Sequence, residues 1–101
     1  MKKILLLCSA GMSTSMVVKK MRESAASKGL EVHIEAHGVE AIQDHLSEFD
    51  LFLLGPQIRF KKDELQKLAT PLGKKVEVIN MVDYGMVKGD KILQDALALL
   101  A

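Results

Sequence analysis

The chain contains one cysteine, Cys8, between a short apolar run at 4–7 and a segment of small and hydroxyl-bearing residues at 9–15. A stretch with helical spacing follows this segment. The first amides of a helix have no partner within the helix, and the helix dipole places about half a positive charge at that end. Both effects stabilise a thiolate and attract the oxygens of a phosphate group. The order of strand, cysteine, loop and helix therefore predicts a nucleophilic cysteine that carries phosphate.

The loop after Cys8 supplies the predicted phosphate ligands. Gly11 lets the backbone turn so that neighbouring N–H groups point inward, and Ser13 or Thr14 is suited to cap the helix. The predicted phosphate-binding residues contribute backbone amides or hydroxyls, and they are Ser9, Ala10, Gly11, Met12, Ser13, Thr14 and Ser15. The alternative is a cysteine that only fills space at the end of a buried strand. Packing alone does not require a glycine and a run of small polar residues after it.

Composition and charge narrow the class of protein. The 101 residues are 49% hydrophobic and 27% charged, with a formal net charge of +1. These values are typical of a soluble globular protein, and the interspersed charges argue against a nucleic-acid surface or a polybasic membrane patch. We expect a single domain over 1–101, large enough to fold without a metal. Because there is one cysteine, an internal disulfide and a C-x-x-C pair are excluded, and we expect no cofactor.

The N-terminal residues resemble a lipoprotein signal only superficially. The apolar run at 4–7 is shorter than the roughly 7–15 residues of a signal sequence. No stretch approaches the ~20 apolar residues of a membrane span. A lone reactive thiol also suits a reducing compartment. We expect a cytoplasmic protein without direct membrane insertion.

Strand and helix patterns alternate along the chain, which predicts an α/β fold with a parallel sheet. The first and third predicted strands are apolar on both faces and belong at the centre of the sheet, whereas the second and fourth alternate and belong at its edges. The order 2-1-3-4 satisfies this with right-handed crossovers and puts helices on both faces. The predicted strands are 4–7, 31–37, 51–54 and 76–79, and the predicted helices are 15–28, 39–48, 61–69 and 90–100. In the third helix we expect Leu65, Leu68 and Leu72 to face the core.

The predicted topology indicates the same place as the loop chemistry. Ligands of open α/β sheets bind beyond the carboxyl ends of the strands, at the point where the strand order reverses. For the order 2-1-3-4 this crevice lies between the first and third strands, where Cys8 and residues 55–57 emerge. Tyr84 follows the fourth strand and is expected to reach the rim or to pack.

Three further residues share one face of the second strand: His33, Glu35 and His37. An H-x-E-x-H face could bind a metal, but a solvated face of an edge strand is the more typical explanation. No fourth ligand is evident, and this strand lies away from the predicted crevice. We expect no metal site, and we assign no role to His45, which lies among polar residues.

A phosphate loop that begins with cysteine is typical of two main classes of protein, a phosphatase and a phosphoryl carrier. In the C-x5-R-S loop of a low-molecular-weight tyrosine phosphatase, the arginine position corresponds to Thr14 here, so the guanidinium that stabilises the transition state is missing. Such phosphatases also use the acid of an Asp-Pro pair, whereas Asp83 precedes a tyrosine. A phosphocysteine would then hydrolyse slowly, which a phosphoryl carrier requires. A thiol-dependent arsenate reductase is a third class, but this chain lacks a second, resolving cysteine.

The sequence resembles the IIB component of the bacterial sugar phosphotransferase system (PTS), lactose/cellobiose (chitobiose) family. The resemblance covers almost the whole chain and rests on KKILLLCSAGMSTSMVVKKM at 2–21, LLGPQI at 53–58, and VEVIN at 76–80 with Tyr84-Gly85. It implies a fold similar to that of low-molecular-weight tyrosine phosphatase. It also implies that Cys8 accepts phosphate from a histidine of the IIA protein. The phosphate then passes to a sugar carried by the membrane IIC protein, a β-disaccharide such as cellobiose, chitobiose or lactose.

A carrier must present one phosphocysteine to two partners in turn, so both should bind the surface around Cys8. We expect this surface to be formed by Met12, Gln57, Ile58 and Tyr84. A small apolar patch suits transient docking rather than a permanent complex. We therefore expect a monomer that binds IIA weakly, has IIC as its second partner and does not bind nucleic acid.

Overall fold

The computed structural model describes residues 1–9 and 14–101. In these residues the strands form a four-stranded sheet in the order β2-β1-β3-β4, and every neighbouring pair is parallel. The strands are β1 (Lys2–Cys8), β2 (Val32–Gly38), β3 (Leu51–Leu54) and β4 (Lys75–Val78). The predicted fold class and strand order are confirmed.

The central strands are buried on both faces, as their unbroken apolar runs predicted. Alternate residues of β1 enter two separate apolar layers. Ile4 and Leu6 pack on one face with residues from helices α1 (Ser15–Ser27) and α5 (Gly89–Leu100). Leu5 and Leu7 pack on the other face with Phe49 and with Leu65 of α3 (Lys62–Ala69). Helices therefore cover both faces of the sheet.

The connection after β2 differs from the prediction of one helix over 39–48. It consists of a 3-10 turn, Val39–Ala41, and a single helical turn, α2 (Ile42–His45). Val39, Ile42 and Phe49 are nevertheless buried. All three side chains belong to the second apolar layer.

Two further details after β3 were not predicted correctly. Leu65 is buried and Leu68 is half-buried, but Leu72 is 50% exposed because it lies in a 3-10 turn, Thr70–Leu72, beyond the end of α3. A short helix, α4 (Met81–Gly85), follows β4 and was not predicted. Its start is capped by the Asn80 side chain, which accepts hydrogen bonds from the amides of Val82 and Asp83.

The position of α1 depends on a close contact with α5. A Cβ atom placed on Gly89 would lie 2.5 Å from backbone and side-chain carbons of Lys20 and 2.6 Å from the Met21 nitrogen. Only glycine therefore permits this approach of the two helices. Among the described residues, no helix is both long enough and apolar enough to cross a membrane.

Candidate active site

Cys8 is the last residue of β1 and is 2% exposed. Thr14 immediately precedes the first residue of α1 and is completely buried. The Thr14 hydroxyl donates a hydrogen bond to the sulfur of Cys8, with an oxygen–sulfur distance of 3.7 Å. The thiol thus lies at the carboxyl end of a central strand, beside the start of a helix, in the arrangement that the sequence predicted for it.

Thr14 occupies the N-cap position of α1, but its side chain makes no capping hydrogen bond. Its backbone carbonyl accepts from the Val18 amide at 2.9 Å, so its backbone already takes part in the helix. The side chain is directed at the sulfur instead. Of the two residues expected to cap the helix, Thr14 holds the N-cap position without a side-chain cap, and Ser13 lies outside the described residues.

The rest of the predicted phosphate loop is described only in part. Ser9 and Ser15 are exposed on either side of it. Ala10, Gly11, Met12 and Ser13 lie outside the described residues.

The turn after β3 lies directly against Cys8. The Gly55 amide donates to the carbonyl of Leu7 at 2.8 Å, which continues the pairing of the two strands past the end of β3. A Cβ atom on Gly55 would lie 3.6 Å from the Cβ of Cys8 and 2.8 Å from the Oε1 atom of Gln57. The Gln57 carboxamide therefore folds back over Gly55, on the side of the turn that faces Cys8.

The four residues of the predicted partner surface do not all lie at a surface. Met12 lies outside the described residues, and Gln57 is exposed. Ile58 is 3% exposed and packs in the second apolar layer, so its assignment as a surface contact was wrong. The 3-10 turn Pro56–Lys61 turns this side chain inward and leaves Phe60 exposed instead. Sequence spacing could not show this, because a 3-10 turn does not follow a helical or a strand period.

Tyr84 lies on α4 and packs its half-buried ring against the first apolar layer. Within the described residues, its buried hydroxyl has no hydrogen-bond partner. Tyr84 also lines a groove together with Gln57. The other residues that line the groove are Pro56, Arg59, Met81 and Gly85.

The histidines of β2 form a separate, self-contained cluster. His33 and His37 each place Nε2 on an oxygen of the Glu35 carboxylate, at 2.8 Å for His37. These two hydrogen bonds, the one with His33 first, lower the pKa of Glu35. The His37 ring also stacks on His45, with ring centres 4.5 Å apart. His45 is thus a packing residue, and its side chain is 22% exposed rather than fully solvated. No group of three or more potential ligands in the described residues is arranged to hold a metal.

Comparison with known proteins decides the family. Residues 3–95 match the family described as "PTS system, Lactose/Cellobiose specific IIB subunit". The chain belongs to this family. As a IIB subunit it is a phosphotransferase, a phosphoryl carrier in sugar transport that works with a IIA component and a membrane IIC component.

Relatives of similar length support this assignment. The oligo-beta-mannoside-specific EIIB component of Bacillus subtilis (strain 168) is 49% identical over 100 residues, which span 99% of this chain and 97% of that protein. The cellobiose-specific EIIB component of Lactococcus lactis subsp. lactis (strain IL1403) is 43% identical over 104 residues, with 98% and 96% of the two chains covered.

Solved structures of IIB components have the same fold. The cellobiose-specific IIB component of Borrelia burgdorferi superposes with a TM-score of 0.80 at 42% identity, covering 96% of this chain and 89% of that one. The lactose-specific IIB domain of Streptococcus pneumoniae superposes with a TM-score of 0.88 at 24% identity, covering 96% and 95%. The fold is the phosphatase-like fold of IIB domains.

Asp83 of this IIB subunit lies on the short helix α4, after β4. Asp83 is 8% exposed, and its carboxylate lies 3.4 Å from the ammonium of Lys91 on α5. Lys91 also pairs with Asp95 at 2.7 Å, and the two carboxylates, Asp95 first, raise the pKa of Lys91. The Asp83 carboxylate is thus held in an ion pair with a residue of α5.

Proposed function

We propose that Cys8 is the residue through which this IIB subunit carries phosphate. Its thiolate accepts the phosphoryl group from a histidine of the IIA protein and passes it to a sugar carried by the membrane IIC protein. The observation that supports this most directly is the contact of the buried Cys8 sulfur with the Thr14 hydroxyl at the start of α1. Because Cys8 is the single cysteine, no other thiol competes for the role.

Each transfer exchanges one bond to phosphorus for another. In the first, the sulfur–phosphorus bond forms as the phosphorus–nitrogen bond of phosphohistidine breaks, and the proton of the original thiol ends on the imidazole. In the second, a sugar hydroxyl attacks phosphorus, the sulfur–phosphorus bond breaks, and Cys8 leaves as a thiolate while the hydroxyl proton passes to solvent or to a base on the partner. No cofactor or metal is required for either step.

The phosphate ligands in this proposal are the backbone amides of 9–15 and the hydroxyls of Ser13, Thr14 and Ser15. This stretch has no basic side chain. Amides near a helix start can hold phosphate oxygens without one. The absence of a guanidinium leaves the transition state for attack by water without its usual stabilisation.

The alternative is a phosphatase-like hydrolase that uses the same cysteine. Thr14 at the arginine position disfavours it, and the chain has no Asp-Pro pair to supply the acid of such a phosphatase. Moreover, Thr14 is completely buried, so replacing it with the arginine of a phosphatase would also displace its neighbours.

The sugar in this proposal is a β-disaccharide such as cellobiose, chitobiose or lactose. The names of two relatives support a sugar of this kind, since they specify oligo-beta-mannoside and cellobiose, whereas a third names the monosaccharide galactose. The sugar itself is bound by IIC, so no residue of this chain is assigned to its recognition.

The surface that both partners use in this proposal is formed by Gln57, Tyr84 and the exposed apolar side chains beside them. Met81 and Val82 are 61% and 62% exposed on α4, and Phe60 is 76% exposed after β3.

A lactose-specific relative of Lactococcus lactis subsp. lactis is an EIICB component, 17% of which is covered by this chain. We propose that 1–101 acts as one cytoplasmic IIB domain and as a monomer with transient partners.

An assay with two substrates tests the proposal against its alternative. A phosphorylated IIA protein of the same system should label the native chain, and Cys8→Ser should abolish labelling while keeping the fold, since the two side chains are nearly isosteric. The native chain should not turn over an aryl phosphate. Steady hydrolysis of the aryl phosphate through Cys8 would establish the phosphatase instead.

A further inference from the structure

We propose that Thr14 is a positioning residue for the sulfur of Cys8, whose hydroxyl stabilises the thiolate before phosphate arrives and again when phosphate leaves. This inference rests on the proposed role of Cys8 as the phosphate carrier. It goes beyond the assignment of Thr14 as one of several phosphate ligands, because it gives the hydroxyl a partner in the unphosphorylated protein.

The geometry of Thr14 favours this role over that of a helix cap. A threonine at an N-cap normally accepts a hydrogen bond from an amide of the first turn, which stabilises the helix by about 1 kcal/mol. Thr14 holds the N-cap position and makes no such bond. Its hydroxyl donates instead to the Cys8 sulfur, at 3.7 Å. The side chain is therefore oriented towards the nucleophile rather than towards the helix.

Because both residues are buried, this hydrogen bond affects the balance between the thiolate and the thiol of Cys8. Thr14 is 0% exposed and Cys8 is 2% exposed, so water provides little solvation of the thiolate. Burial without a donor favours the neutral thiol. A hydrogen bond to a charged acceptor is roughly twice as strong as one between neutral groups, so the donated bond favours the thiolate over the thiol.

The same contact suits a carrier better than a hydrolase. A neutral hydroxyl directed at sulfur stabilises the nucleophile in the first transfer and the leaving group in the second. Unlike an arginine, it adds no positive charge at the phosphoryl oxygens, which would also stabilise attack by water. A threonine at position 14 thus supports two reversible transfers without promoting hydrolysis.

The pH dependence of alkylation tests the inference without any partner protein. The rate of iodoacetamide reaction with Cys8 is measured against pH for the native chain, Thr14→Val and Thr14→Ser. Valine removes the hydroxyl at nearly constant volume, so we expect the midpoint to move to higher pH and the rate near neutral pH to fall about tenfold. Serine keeps the hydroxyl and should restore most of the native profile.

Controls separate this contact from folding and from the proposed function. Thr70→Val removes an exposed hydroxyl that bonds to the Gln66 carbonyl, far along the chain, and should leave the Cys8 profile unchanged. In the native chain, the NMR shifts of the Thr14 side chain should titrate with the midpoint of Cys8 alkylation, which requires no variant to fold. A native profile in folded Thr14→Val, or a Thr14 signal that does not respond to Cys8 ionisation, would overturn the inference. Either result would leave intact a separate finding that IIA labels Cys8.

Discussion

The carboxylate of Asp83 and the ammonium of Lys91 lie 3.4 Å apart and join α4 to α5. The Asp83 side chain is 12% exposed, whereas that of Lys91 is 51% exposed, so a largely buried acid reaches out to a cation at the surface. The backbone carbonyl of Asp83 also accepts from the Lys88 amide at 2.9 Å. Asp83 therefore has a structural role where the helices meet, in a protein whose fold is shared with phosphatases.

We expect Asp83→Asn to leave phosphoryl transfer from IIA nearly intact. Loss of a general acid would lower a rate by about 10²–10⁴-fold, so a change well below tenfold indicates that Asp83 is not one. The variant should unfold at a lower urea concentration than Asp95→Asn, because the Asp95 side chain is 55% exposed. Transfer kinetics and urea unfolding measure the two effects, and a hundredfold loss of transfer in a folded variant would assign Asp83 to catalysis.

The contact between α1 and α5 should be sensitive to a single methyl group. Gly89→Ala would place a carbon 2.5 Å from Lys20, in part against backbone, so we expect a loss of about 1–3 kcal/mol in the free energy of unfolding. Gly85→Ala is a matched control, since a Cβ atom there would meet nothing within 4 Å. Urea unfolding of both variants checks this. If Gly89→Ala and Gly85→Ala have the same free energy of unfolding, the close approach of the two helices does not contribute to stability.

The order of the strands was predictable because the residue types of a strand depend directly on how many of its faces are buried. A strand covered by helices on both faces contacts no water, and so 4–7 and 51–54 are apolar at every position. Short helices and 3-10 turns have no comparable pattern of apolar residues in the sequence. The helix α4 begins at Asn80 because its side chain caps two amides, and it spans too few residues to show a period.

The candidate site was predictable to the extent that it depends on chain order and topology. The turn at Gly55 lies beside Cys8 because parallel strands bring their carboxyl ends to one edge of the sheet. The orientation of individual side chains was not predictable. Ile58 is buried because of a local turn, and the Thr14 hydroxyl bonds to sulfur because of the direction in which α1 begins.

Because of the cluster around Glu35, the free energy of unfolding should depend on pH in the acid range. Hydrogen bonds from His33 and His37 hold the pKa of Glu35 below its ordinary value of 4.5, so the stabilisation is complete above pH 4.5 and is lost as the pH falls further. We expect Glu35→Gln to cost about 0.5 kcal/mol above that pH, since the carboxylate is 31% exposed, and progressively less below it. Urea unfolding from about pH 6 to about pH 3 measures this. Glu31→Gln, at an exposed position just before β2, controls for the loss of a surface carboxylate. If the difference in free energy of unfolding between the native chain and Glu35→Gln stays constant from about pH 6 to about pH 3, ionised Glu35 does not contribute to stability in this way.

The exposed side chains of α4 should contribute to partner binding. Met81→Asp places a charge on an apolar side chain that lines the groove with Gln57 and Tyr84, so we expect weaker transfer from IIA and unchanged alkylation of Cys8. Leu72→Asp is the control, because Leu72 is also about half exposed but precedes β4 rather than following it. Transfer rates at several IIA concentrations separate binding from chemistry. If both variants behave alike, this groove is not the docking surface.

The position of the phosphate on the protein tests the role of Cys8. The native chain is phosphorylated with a phosphorylated IIA protein and then analysed by ³¹P NMR and by mass spectrometry of its peptides. We predict one phosphate, on the peptide that contains Cys8, with the chemical shift of a phosphorothiolate, and none on Cys8→Ser. Phosphate on His33, His37 or His45, or labelling of Cys8→Ser at the native rate, would contradict the account.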